Sequence, residues 1–255
     1  MFNVLNIPAF DDNYIWLIKD SQSSRCIVVD PGDAAPVLEV IASQNLTIEA
    51  IIITHHHNDH IGGVEKLMMD NPETKIFSKE PLFENANLVD EGDTIAFFDG
   101  RLSFKVWQVA GHTLDHVAYF NEQMLFCGDT LFSAGCGRVF EGTHQQMFDA
   151  LSRLASLNEE TKVYCAHEYT QNNLIFALHV DPHNMELINY IKSVSKARQQ
   201  GLATIPTTIK CEKLINPFLR CDQPSLLNSV QNILAKPLTS GESLFKALRL
   251  YKDQF

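Results

Sequence analysis

Long apolar runs are missing from this chain. No stretch approaches the about 18 apolar residues that a membrane-spanning helix needs, so an integral membrane protein is not expected. The amino terminus, beginning Met1-Phe2-Asn3-Val4, lacks a basic region followed by a long apolar segment, so export is not expected either. Paired Cys-x-x-Cys spacings are also missing, although six cysteines stand at 26, 127, 136, 165, 211 and 221. A chain of 255 residues builds a core without disulfides, so reduced thiols in packing roles and a cytoplasmic location are expected. Positive charge is scarce: 20 Lys and Arg stand against 31 Asp and Glu, for a formal charge of -11. That balance argues against a broad nucleic-acid-binding face, which needs clustered cations to neutralise phosphates, but leaves room for a local basic pocket. No repeat or low-complexity tract occurs, and 45% apolar with 20% charged residues describes an ordinary globular chain.

What is present is an alternation of short strands and helices. Phe2 to Ile7, Tyr14 to Lys19 and Cys26 to Val29 read as closely spaced strands, favouring antiparallel hairpins. Val37, Leu38, Val40 and Ile41 form a helical stripe after Asp33, a suitable N-cap. Ala50-Ile51-Ile52-Ile53 reads as a buried strand, Val64 to Met69 as a helix, and residues 75 to 78 as a short strand. Leu102 to Val109 reads as a long strand of a second sheet, Val117 to Phe120 and Met124 to Cys127 as a pair of strands, and Lys162 to Ala166 as one more strand. Thr143 and Gln146 have the spacing of a capping box. After about residue 170 the pattern becomes helical, over Glu186 to Arg198, Ser225 to Leu234 and Ser243 to Leu250, with Pro206, Pro217 and Pro224 as interruptions. The expected division is residues 1 to 170 as a catalytic domain and 171 to 255 as a smaller, mainly helical domain.

The chemistry concentrates in Thr54-His55-His56-His57-Asn58-Asp59-His60, which follows the apolar strand and opens into Ile61-Gly62-Gly63. Imidazole suits zinc, and the neighbouring carboxylate also accommodates iron or manganese. Three further strand-like segments end in metal-capable residues, at His112, Asp129 and His167. Taken singly, each has an ordinary reading as a turn residue, an Asx cap or a core histidine. Taken together, His and Asp donors are too numerous for one closed structural zinc site. Two clusters of about three residues are then available, and Asp129 could bridge them with its two oxygens. Two metals roughly 3.5–4 Å apart lower the pKa of a water between them toward neutrality, which points to hydrolysis. His56 is expected to point away from the cluster, and Asn58 to form the turn or support a ligand. His144, His179 and His183 read as helix-start or surface residues. Asp30 and Asp33 read first as caps, with support of a ligating histidine as the lesser alternative.

The set Thr54-His55-x-His57-x-Asp59-His60, Gly111-His112-Thr113, Gly128-Asp129-Thr130 and His167 resembles the metallo-beta-lactamase superfamily. Leu131 to Arg138, Phe140-Glu141-Gly142-Thr143, Ala166 to Thr170 and Lys252-Asp253-Gln254-Phe255 resemble its glyoxalase II (hydroxyacylglutathione hydrolase) family more narrowly, over essentially the whole chain. The resemblance implies an α+β fold: a metallo-beta-lactamase-like αββα sandwich with a smaller helical C-terminal domain. It also implies two divalent metal ions, zinc foremost and iron or manganese as alternatives. His55, His57 and His112 would hold one, Asp59, His60 and His167 the other, with Asp129 bridging and Asp59 also orienting the hydroxide. Arg138, Tyr169, Arg249 and Lys252 would meet glutathione. The implied reaction is hydrolysis of S-lactoylglutathione to D-lactate and glutathione by a metal-bridging hydroxide, in methylglyoxal detoxification. Many eukaryotic relatives carry Lys where this chain has Arg138 and Tyr where it has Phe140. The Arg-x-Phe form resembles bacterial members; it keeps the cation but changes its donor geometry, and removes a hydroxyl.

Other readings are less well supplied by the sequence. A beta-lactamase would be exported and commonly uses Cys where Asp129 stands; a nuclease would want a basic strip. A persulfide dioxygenase would use one iron, against a complete second ligand set. A metal-binding module without turnover is the non-enzymatic alternative. The expected partner is a small-molecule glutathione thioester, with no nucleic acid, no membrane and a monomeric state.

Overall fold

The computed structural model describes residues 1–255. The chain folds into two compact units that interleave along the sequence. The first comprises Met1–Gln108, Asp115–Asn121 and Leu125–Gly128; the second comprises Val109–Leu114, Glu122–Met124 and Asp129–Phe255.

In the first unit, β1 (Phe2–Ala9), β2 (Asn13–Asp20) and β3 (Arg25–Val29) form the expected antiparallel hairpins. α1 (Ala34–Gln44) crosses over to β4 (Thr47–Ile52), which lies parallel to β3. Asp33 caps α1 through Ala35 N–H, at 2.9 Å. α2 (Asn58–Ile61) and α3 (Val64–Asp70) lead to β5 (Lys75–Ser78) and β6 (Ala86–Leu88), both parallel additions to the sheet. β7 (Thr94–Phe97), β8 (Leu102–Gln108), β9 (Val117–Phe120) and β10 (Met124–Gly128) form an antiparallel meander.

The sequence periods follow from burial. β4 is covered on both faces and therefore reads as an unbroken apolar run, with Ile51, Ile52 and Ile53 all buried. β8 is covered on one face only, so Leu102, Phe104 and Val106 alternate with exposed Ser103 and Lys105. A core of Leu17, Val28, Val37, Ile51, Val64 and Leu67 joins the first sheet to α1 and α3. Between the two sheets, the buried Tyr119 hydroxyl donates to Ile53 O at 2.8 Å, and Val117 N–H donates to Thr54 O at 2.9 Å. The end of β4, where the histidine motif begins, is thereby fixed from β9.

In the second unit, β11 (Leu131–Phe132) and β12 (Gly135–Cys136) form a small hairpin. α4 (His144–Leu154) begins with the expected capping box of Thr143 and Gln146. β13 (Lys162–Cys165) precedes α5 (Thr170–Val180) and α6 (Met185–Gln199); β14 (Thr207–Thr208) pairs antiparallel with β13. α7 (Ile209–Ile215), a 3-10 turn at Pro217–Leu219, α8 (Pro224–Leu234) and α9 (Glu242–Lys252) complete the unit. Ala134, Leu174, Ala177, Leu187, Val194 and Ile215 form one of its cores, so the hairpin is packed among helices. No helix is long and apolar enough to cross a membrane. All six cysteines are free, and burial pushes Cys26 and Cys211 up to about 12, far from thiolate chemistry.

Candidate metal centre

The first unit supplies four of the expected ligands from the turn after β4. His55 Nε2 and His57 Nδ1 face each other at 3.0 Å, and the His55 and His60 rings lie 4.1 Å apart. His60 Nε2 stands 3.5 Å from Asp59 Oδ2. His55 and His60 are buried, while the Asp59 side chain is 41% exposed, so this group opens to solvent at its carboxylate.

The outward-facing nitrogens are held in a way that fixes the rings. Asp30, itself buried, accepts from Thr54 N–H at 2.7 Å, from the Thr54 hydroxyl at 2.7 Å and from His60 Nδ1 at 3.1 Å. Because the Thr54 hydroxyl donates to Asp30, its oxygen is left to accept from His55 Nδ1, at 3.1 Å. Both imidazoles then carry their proton on Nδ1 and present an Nε2 lone pair, the tautomer a metal requires. Asp33 caps a helix as expected, but capping is the wrong role for Asp30: its carboxylate holds the ring of His60, one of the candidate ligands. Asn13 Nδ2 donates to Asp59 Oδ2 at 3.0 Å, and Gly32 packs directly on Asp59, where a Cβ would fall 1.8 Å from Asp59 O.

The second unit supplies the other three. His112 Nε2 lies 3.5 Å from Asp129 Oδ2, and His167 Nε2 lies 3.3 Å from Asp129 Oδ1. Each carboxylate oxygen of Asp129 thus has one imidazole nitrogen beside it. His112 Nδ1 is set by Arg138 O at 2.8 Å, and the His167 ring stacks on Tyr169 with centroids 4.6 Å apart. His and Asp donors of this kind are able to hold divalent metal ions, and the distal ring nitrogens of His55, His60 and His112 are met by oxygens of Thr54, Asp30 and Arg138. The donor set fits hard or borderline ions such as zinc, iron or manganese and contains no cysteine.

The remaining candidates separate by environment. His56 Nδ1 meets Asp115 Oδ1 at 2.9 Å, and Asn58 starts α2. Arg138 is 64% exposed. Lys252 donates to Asn173 Oδ1 and lies over the rings of Phe176 and Phe218, 5.8 and 5.7 Å from their centroids. Burial, helped by the charge of Arg249, holds its ammonium down to about 7. Arg249 is not the solvated helix cation its position suggests: it is buried, pairs with Asp253 at 2.8 Å and donates to Cys136 O at 2.8 Å. His179 Nε2 bonds the Tyr251 hydroxyl at 2.8 Å, and His144 opens α4. Cys136 is buried, with its thiol pushed up by desolvation.

One participant escaped the sequence reading altogether. His116 is fully buried, stacks on His55 with centroids 4.6 Å apart and planes at 15°, and packs against Gly128, where a Cβ would lie 2.9 Å from its ring. Its only sequence signal is proximity to Gly111-His112-Thr113.

The family described as metallo-beta-lactamase superfamily matches residues 9–69 and 68–167, and that described as hydroxyacylglutathione hydrolase C-terminus matches 168–255. The chain is 62% identical over 256 residues to the hydroxyacylglutathione hydrolase of Psychromonas ingrahamii and 52% identical over 258 residues to that of Photobacterium profundum, with 100% of each chain covered in both cases. Among solved structures, ETHE1 from Myxococcus xanthus superposes with a TM-score of 0.64 at 25% identity, covering 99% of this chain and 98% of that one. The fold is accordingly the αββα metallo-beta-lactamase-like sandwich with an additional C-terminal helical domain. With both family matches end to end and full-length identity above half, the chain belongs to the hydroxyacylglutathione hydrolase (glyoxalase II) family of the metallo-beta-lactamase superfamily.

Proposed function

We propose that this chain is a thioester hydrolase that cleaves 2-hydroxyacyl glutathione thioesters, S-lactoylglutathione among them, to the 2-hydroxy acid and glutathione. The observation that carries the reading is Asp129, with an imidazole nitrogen 3.5 Å from one oxygen and another 3.3 Å from the other, in a chain 62% identical to a hydroxyacylglutathione hydrolase. His55, His57 and His112 would hold one divalent ion and Asp59, His60 and His167 a second, with Asp129 shared. Zinc suits this set best, and iron or manganese would also be accepted. When bound, such a pair supplies Lewis acidity toward a carbonyl oxygen and lowers the pKa of water.

The protein's own groups do the rest. Asp59, anchored by Asn13 and partly open to solvent, would take a hydrogen bond from the attacking water and aim it, a role its exposed carboxylate supports. Asp30 and Thr54 keep His60 and His55 in the ligating tautomer. Glutathione carries carboxylates and the protein is acidic overall, so binding requires locally gathered cations. Arg138 and Lys252, with Tyr169, are assigned to that contact, while Arg249 adds charge beside Lys252 and holds the backbone leading to Arg138. The leaving thiolate needs no strong general acid, because an ordinary thiol has a pKa of about 8.5. A division of labour near residue 170 follows, with ligands before it and glutathione recognition largely after it. The chain is further assigned a monomeric state in a reducing cytoplasm, in methylglyoxal detoxification.

Steady-state hydrolysis of S-lactoylglutathione, with metal content measured on the same preparation, tests the proposal. Turnover with about two divalent ions per chain is expected. Intact thioester recovered from protein that carries both ions would refute it.

A further inference from the structure

The segment directly after Asp129 has an unusual supply of hydrogen-bond partners. β11 and β12 are two residues each, too short for a ladder to satisfy the turn between and beyond them. The carbonyls are met instead by side chains from the helices. Asn216 Nδ2 donates to Phe132 O at 3.1 Å and to Gly135 O at 2.9 Å; Asn173 Nδ2 donates to Ser133 O at 2.9 Å. Arg249 Nη1 donates to Cys136 O at 2.8 Å and reaches Gly137 O at 3.5 Å. The next carbonyl, of Arg138, meets His112 Nδ1 at 2.8 Å.

At the centre stands Glu212, fully buried in α7, a carboxylate the reaction does not use. Its Oε2 accepts from Ala134 N–H at 2.9 Å and from Asn216 Nδ2 at 3.1 Å. Ala134 has φ of 55°, a left-handed conformation that a residue with a Cβ keeps only when its surroundings impose it. The glycines of this segment record the same close fit. A Cβ on Gly135 would fall 2.5 Å from the Asn173 amide, and one on Gly137 would fall 1.9 Å from Asp129 O and 3.2 Å from His112 Nδ1. The segment therefore packs on the backbone of one ligand and the ring of another, while helical side chains dictate its path.

We propose that Glu212, Asn216 and Asn173 form a clamp through which the helices position the metal ligands His112 and Asp129. The clamp sets the 132–138 backbone, and that backbone delivers the Arg138 carbonyl to His112 Nδ1 and seats Gly137 against Asp129. Glu212 is a positioning residue, two steps removed from the ions. The inference rests on the metal assignment proposed above and gives the helical segment a second task besides meeting glutathione. Since burial raises the Glu212 carboxyl, glutamine is an isostere of its neutral form and should keep the Ala134 and Asn216 bonds.

The test compares the parent, Glu212→Met and Glu212→Gln by zinc affinity under chelator competition and by the absorption spectrum after cobalt(II) loading, on protein shown to be folded. The parent should take up two equivalents. Glu212→Met should hold one equivalent roughly 10–100-fold more weakly, as loss of an outer-shell partner does, with an altered cobalt spectrum and a fall in kcat larger than any rise in KM. Glu212→Gln should restore affinity and spectrum. A folded Glu212→Met with parental affinities and spectrum overturns the clamp. If that variant does not fold, Asn173→Leu, which removes the bond to Ser133 O and also the acceptor of Lys252, carries the same decision by zinc affinity and cobalt spectrum alone. A parent that fails to bind two equivalents overturns the metal assignment itself.

Discussion

Replacing Asp30 by asparagine isolates what the carboxylate does for the site. Asp30 has φ of 50°, and asparagine is among the few residues that share aspartate's tolerance of that region, so the backbone needs no adjustment. Volume is also conserved. What changes is that one acceptor oxygen becomes an amine. The aspartate accepts from three buried donors: Thr54 N–H and the Thr54 hydroxyl at 2.7 Å each, and His60 Nδ1 at 3.1 Å. With the asparagine oxygen toward Thr54 N–H, the amine faces His60, which must give up its Nδ1 proton to accept. The proton then sits on Nε2, the nitrogen 3.5 Å from Asp59, and the lone pair is lost to the metal. With the amide flipped, Thr54 N–H is left buried against a donor, at about 1–3 kcal/mol. The first state should weaken binding at the His60 side by roughly 10–100-fold, or about 1.4–2.8 kcal/mol, whereas the second keeps the tautomer and shows as lost stability. Zinc competition by a chelator, read with kcat on the same material, measures it. Two equivalents bound with parental affinity by a D30N protein of parental stability would refute the tautomer argument.

Three further expectations rest on separate observations. Lys252, held down to about 7 by burial, is charged below that pH and neutral above it, so KM for a glutathione thioester should rise as pH climbs through about 7. In Lys252→Met the profile should be flat at the high value, and a parental slope in that variant removes the residue from the binding set. Gly32→Ala places a Cβ 1.8 Å from Asp59 O, so the turn carrying Asp59 must move and metal-to-protein stoichiometry should fall; retention of two ions after dialysis would show that the close approach is dispensable. Tyr119→Phe removes the donor to Ile53 O at 2.8 Å from a buried position and should lower stability by about 1–1.5 kcal/mol in urea denaturation, with KM unchanged. A parental midpoint would count against that bond as an anchor for β4.

The helices that escaped the sequence reading did so for identifiable reasons. In α5, Asn173 is buried while Ile175 is 61% exposed, so polar and apolar positions partly exchange places and the stripe disappears. α7 is seven residues with a buried Glu212 in the middle, and a charged residue among Ile209, Cys211 and Ile215 hides its inward face. By contrast α1, α4 and β8 keep ordinary alternation and caps, and their boundaries follow directly from Asp33, Thr143 and the period-2 pattern. Nothing local to α9 reveals that Arg249 is buried, with Cys136 O and Asp253 closed over it.

By itself the sequence determined which residues could ligate metal, since donor chemistry belongs to side-chain type and the ligands stand where strands end. It also determined the strand-helix alternation and two caps, which depend on neighbours within four residues. Tertiary structure decided what those donors face. The tautomers of His55 and His60 follow from Asp30, more than twenty residues away in sequence, and the orientation of His112 from the Arg138 carbonyl. His116 enters only by stacking on His55. The path of residues 132–138 is set by Asn173, Asn216, Glu212 and Arg249. Such contacts join residues far apart along the chain, and no local period or propensity encodes which of them will meet.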